Sequence, residues 1–98
     1  MELYVIRRRG IWSSEDELAA TNEKSLQVGE ETKDRLRWIR SYAVAEDDGR
    51  IGSVCVYEAS DRDVIREHAD RIGAPGDDVN LVRGTAVKRD DPGPLTAV

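Results

Sequence analysis

Trp38-Ile39-Arg40-Ser41-Tyr42 and Ser53-Val54-Cys55-Val56-Tyr57 are two runs rich in aromatic and β-branched residues, separated by Asp47-Asp48-Gly49 and followed by Ser60 to Gly73. The first two stretches read as adjacent strands, over residues 36–45 and 50–58, joined by a tight acidic turn. In the third, Val64, Ile65, His68, Ala69 and Ile72 recur at helical spacing, with Ser60 and Asp63 offering a cap before it and Gly73 ending it. A hairpin leading into a helix therefore occupies the middle of the chain.

Working outward, Leu3-Tyr4-Val5-Ile6 predicts a first strand over residues 2–9, closed by Gly10. Ser14 with Glu17 has capping-box spacing, so a helix from about Glu15 to Thr32 follows. Its inward stripe reads Leu18, Ala19, Asn22, Ser25, Leu26 and Gly29, interrupted by the polar pair Asn22 and Ser25. Asp77 to Val87 supplies a last strand, and residues 88–98, with Asp-Asp-Pro-Gly-Pro, read as a flexible tail after a domain of residues 1–87.

The order strand, helix, strand, strand, helix, strand is the split βαβ of a ferredoxin-like α+β sandwich: a four-stranded antiparallel sheet with both helices on one face. The other face is left open, and a second copy packed sheet to sheet is the expected cover. Ninety-eight residues with no Phe make a single small core. Such a chain buries only about two-thirds of its unfolded surface, which favours dimerisation.

Twenty acidic against 15 basic residues give a net charge of −5, which argues against nucleic acid or an anionic membrane as partner. One cysteine allows no internal disulfide, no segment has signal-peptide layout, and no apolar run approaches the roughly 20 residues that span a bilayer. The chain reads as cytoplasmic.

Strict alternation sorts the hairpin into Ile39, Ser41, Ala43, Val54 and Val56, suited to packing under helices, and Trp38, Arg40, Tyr42, Ser53, Cys55 and Tyr57, suited to a partly polar cavity or subunit interface. Either Arg8 alone or Arg7 with Arg9 projects on the second side, according to register, where an anion could be held. Arg8, Trp38, Tyr42, Cys55, Tyr57 and His68 are the candidate pocket residues. Cys55, central in a strand, reads first as a small buried apolar residue, since reactivity requires a cation beside it, Arg8 or His68. His68 reads as a hydrogen-bonded core or interface histidine, or as an acid–base group if a substrate can reach it. One His and one Cys on different elements fall short of a metal site. No phosphate loop or Ser-His-Asp signature is present, and no cofactor or catalytic residue is specified.

Trp38-Ile39-x-Ser41-Tyr42, Cys55-Val56-Tyr57-x-Ala59, Arg66-Glu67-His68-Ala69 and Gly73-x-Pro75 resemble a bacterial family of small proteins of unknown function that includes a nickel-binding ferredoxin-like protein. The resemblance spans roughly residues 2–87 and implies a ferredoxin-like fold assembled as a dimeric α/β-barrel. It also implies that a nickel-binding member carries histidines at the end of its first strand and along its first helix. The matching positions here are Arg7, Arg8, Ile11 and Asn22, a set poorly suited to nickel. Two functional expectations follow. One is a homodimeric protein binding a small molecule or a metal ion near the open sheet face. The other is a small-molecule enzyme of the monooxygenase, isomerase or cyclase kind, with His68 as acid or base and Tyr42, Tyr57 and Arg8 orienting substrate. They differ on whether His68 reaches a cavity shared with the two tyrosines.

Overall fold

The computed structural model of the protein describes residues 1–94. Strand β1 (Glu2–Trp12) leads to helix α1 (Glu15–Glu31), the hairpin β2 (Leu36–Ala45) and β3 (Ile51–Ala59), helix α2 (Arg62–Ile72) and the short β4 (Val79–Leu81). The four strands form one antiparallel sheet in the order β2-β3-β1-β4. This is the expected ferredoxin-like α+β architecture.

Local chemistry explains most boundaries. Asp48 accepts from the Arg50 N–H, and Gly49 takes a φ of 87° that a side chain would resist, so the hairpin reverses where the acidic turn lies. Helix α1 starts at Ser14, whose hydroxyl accepts from the Glu17 N–H at 3.2 Å. The cap of α2 is Asp61, not Ser60, with its carboxylate accepting from the Val64 N–H at 3.0 Å. Gly73, at φ 74°, closes α2 in the left-handed conformation.

Two expected ends move. Gly10 does not close β1: its φ of 56° accompanies a register shift between Arg8 and Trp12, a bulge after which pairing resumes at Trp12 with Ile51. β4 is far shorter than residues 77–87, because Leu81 pairs with Tyr4 near the start of β1. After the Val82 N–H bonds Leu3 O, little of β1 remains to pair with. The chain beyond it is exposed, yet Asp91 contacts Arg40 and Tyr42 on β2, at the opposite sheet edge. Residues 95–98 of the expected tail lie outside the described residues.

The sorting of hairpin faces needs correction. A register shift between Trp38 and Arg40 makes Ile39 an extra residue in β2. Trp38 lies opposite Tyr57, but past the bulge it is Ser41 and Ala43 that oppose Cys55 and Ser53. Tyr57, Cys55 and Ser53 are buried on the helix side with Tyr4, Ile6 and Arg8. Val54 and Val56, expected under the helices, pair with Arg7 and Val5 and with Tyr42 and Arg40 on the open face. The core therefore carries the phenol, the thiol and the guanidinium. Around them pack Ile6, Leu36, Ala59, Val64 and Ile65, while Val28, Ile72 and Ala74 form a second cluster with Ile11.

The inward face of α1 is Leu18, Ser25 and Val28, with Thr21 and Asn22 half-buried. Leu26, expected in this stripe, is 63% exposed. Among the described residues no helix is long and apolar enough to cross a membrane.

Candidate functional site

Helix α1 does not close down fully on the β2–β3 half of the sheet. Between them lies a cavity of about 330 Å³. Trp12, Leu18, Trp38, Ile39 and Ile72 contribute apolar wall, and Thr21, Asn22, Ser25, Ser41 and Ser53 contribute polar groups. The cavity exists because positions 22 and 25 of α1, where a fully packed helix would place large apolar side chains, carry small polar ones.

Five of the six candidates named from sequence, Arg8, Trp38, Tyr42, Cys55 and Tyr57, line this one cavity. It opens on the helix side of the sheet rather than on the open face. Tyr42, 46% exposed, stands where β2 forms the sheet edge. Trp38 stacks on Tyr57 with ring centroids 6.4 Å apart, and the Trp12 indole N–H donates to Thr21 Oγ1 at 3.0 Å. Both tryptophans of the chain are thus cavity wall.

The sixth candidate, His68, stands one layer behind. Its Nε2 lies 2.9 Å from Ser25 Oγ, and its ring meets Tyr57 edge-on at 5.5 Å. Burial is the main reason its pKa falls from 6.5 to about 4, with the positive charges of Arg8 and then Arg71 adding to the effect. The imidazole is neutral at physiological pH. Burial likewise raises the Tyr57 phenol above its ordinary pKa, so it stays protonated.

Arg8 is only 3% exposed. Its Nε donates to Pro75 O at 2.7 Å and its Nη1 to Cys55 Sγ at 3.5 Å, while Cys55 donates in turn to Ser53 Oγ. Nη2 has no partner, and neither has His68 Nδ1. The Pro75 carbonyl is held in place by close packing of the next residue, since a Cβ on Gly76 would come within 2.6 Å of Ala69 Cβ on α2.

Ser25 and Asn22 were visible beforehand as polar breaks in an inward stripe. Ser53 and the Pro75 carbonyl carried no such signal: a serine in a strand is ordinary, and a carbonyl in a loop has no side-chain signature.

A metal finds few donors here. Among the described residues no group of three His, Cys, Asp or Glu side chains is clustered to hold one. The positions matching the nickel-binding resemblance are Arg7, bound to Glu46, Arg8, buried beside Cys55, the aliphatic Ile11, and Asn22 on the cavity wall. A guanidinium beside the one thiol and near the one imidazole also repels a cation. The residues present do not fit nickel.

Comparison with known proteins bears on the fold and the family. The crystal structure of SCO4226 from Streptomyces coelicolor A3(2) superimposes with a TM-score of 0.68 at 19% identity, covering 86% of this chain and 99% of that one. At that identity the likeness speaks for the fold. A search among curated proteins finds no match. The profile of the family described as nickel responsive protein SCO4226-like matches residues 4–82, most of the chain and all of the sheet but the first two residues of β1, and the protein belongs to that SCO4226-like family.

Proposed function

We propose that this protein is a small homodimeric binding protein whose ligand is a small molecule held between α1 and the β2–β3 hairpin. The observation that carries the reading is the cavity itself. A helix packed on a sheet ordinarily closes to near-crystalline density, whereas here a space of about 330 Å³ stays open, walled by two indoles, the Tyr57 phenol and a few convergent polar groups. A nickel response, which the family's description names, would have to use donors other than the matching positions on β1 and α1.

The second copy is assigned to the open face of the sheet. Leu3, Val5, Val54 and Val56 form a half-buried aliphatic centre there. It is edged by Arg37, Arg40 and Glu58, so a twofold-related copy can bring opposite charges together around an apolar patch.

Catalysis is the weaker reading on this geometry. His68 does not line the cavity, and Ser25 Oγ, which does, stands between its Nε2 and a ligand.

Native mass spectrometry of the protein as purified from cells, followed by its denatured mass, tests the proposal. A dimer carrying an additional nonprotein mass is the expected result. A bare monomer at micromolar concentration would remove both halves of the reading.

A further inference from the structure

Three consecutive arginines end the first half of β1, and the structure treats them differently. Arg7 pairs with Glu46 at 2.8 Å and Arg9 with Asp78 at 3.0 Å. Arg8, between them, is the buried one and makes no ion pair among the described residues. Its bonds go to a carbonyl and a sulfur rather than to a carboxylate, the Tyr57 hydroxyl lies close by, and Nη2 makes no hydrogen bond. The chain has 20 carboxylate side chains to 15 cationic ones, so a partner would be easy to supply.

An arginine cannot shed its proton to escape burial, as a lysine or histidine can. A guanidinium held dry without a counter-charge is therefore costly unless something external completes it. The arginine also forms part of the wall of the cavity between helix and sheet.

Resting on the ligand-binding reading above, we propose that the cavity selects a small monocarboxylate with an apolar body, its carboxylate completing the Arg8 guanidinium. The charge balance sets the anion: one buried positive charge, with His68 neutral behind Ser25, matches a monoanion better than a phosphoryl dianion. The rest of the wall sets the body, since Trp12, Leu18, Trp38 and Ile72 offer apolar surface and Ser25 and Asn22 offer further hydrogen bonds to the head group. Nη2 is sealed from solvent. The proposal therefore requires a wall side chain to turn aside for the carboxylate to reach it.

Trp12 and Trp38, the only tryptophans, both line the cavity and report on its contents. The test is a fluorescence titration of the full chain with benzoate and hexanoate, against benzamide, hexanamide and inorganic phosphate. Saturable quenching or enhancement by the carboxylates, at least tenfold tighter than by the amides or phosphate, is expected. Arg8→Met, of similar length, should weaken carboxylate binding at least tenfold and leave the amides unchanged. Should that variant fail to fold, the melting temperature of the wild-type protein decides the matter, rising with benzoate and not with benzamide. Equal binding of acids and amides would overturn the anion selectivity while leaving a ligand cavity. No response to any carboxylate would overturn the proposal too, and the mass of the purified protein then decides separately whether the cavity binds any ligand.

Discussion

Ser25 Oγ and His68 Nε2 lie 2.9 Å apart and are both buried, so a single polar contact joins α1 to α2 at the back of the cavity. It is the one side-chain hydrogen bond between the helices that water does not reach; the other, Arg71 to Glu31, is exposed. Ser25→Ala should therefore destabilise the fold by about 1–3 kcal/mol, the cost of leaving a buried imidazole nitrogen unpaired. Urea unfolding at pH 7 measures it, and a change below about 0.5 kcal/mol would show the contact to be energetically empty.

The depressed pKa of His68 makes stability depend on pH. Unfolded, the imidazole takes up a proton near pH 6.5; folded, it resists until about 4. The unfolded chain thus binds more protons between those values, and stability, full above about 6.5, declines as pH falls toward 4. The whole effect amounts to roughly 3 kcal/mol. Because His68 is the only histidine, one imidazole resonance followed by NMR gives its pKa directly. His68→Gln should flatten the unfolding free energy between pH 6.5 and 5. A native pKa near 6.5 would contradict the buried placement.

Two adjacent residues compete for the role of capping α2. Asp61 accepts from the Val64 N–H, so Asp61→Ala should cost about 1 kcal/mol. Ser60→Ala should stay within about 0.5 kcal/mol. Chemical denaturation of the two variants side by side would reject the assignment if their order were reversed.

Gly52 has no room for a side chain. A Cβ there would press on the Arg8 carbonyl oxygen and on the Arg7–Glu46 ion pair. Gly52→Ala should lower stability by about 1–3 kcal/mol through overpacking against backbone. It should also disturb the Trp12 and Trp38 fluorescence, since the two strands forced apart, β1 and β3, carry Arg8 and Ser53 into the cavity wall. A neutral substitution would mean that β1 and β3 are not held this closely.

Nickel offers a further check. Added Ni²⁺ at one equivalent should leave the His68 resonance unbroadened, because the imidazole faces Ser25 and Tyr57 and lies in the field of Arg8. Selective loss of that resonance would place the metal in this layer of the protein and reopen a cation site.

Much of the architecture was readable from local pattern. The acidic turn at Asp47-Asp48-Gly49, the capping serine at position 14 and Gly73 each act within a few residues, and each falls where it was expected to act. Even the polar break at Asn22 and Ser25 pointed to the cavity, because a polar residue on an inward helical face must meet either a partner or a space. The face of β2 was misread for an equally physical reason. A bulge at Ile39 changes which side every later residue takes, and nothing in the strand's composition announces it.

Period, capping chemistry and turn residues settled the element order and, with it, the ferredoxin-like sandwich, since these act over a few neighbouring positions. The state of Arg8 was decided only in three dimensions. Three identical side chains in a row are equivalent as a string. They become one buried charge between two neutralised ones because the pleat turns the middle residue inward and because Glu46 and Asp78 arrive from other elements to meet its neighbours. Electrostatic environment is a sum over atoms brought together from the whole chain, and only the folded arrangement fixes its terms.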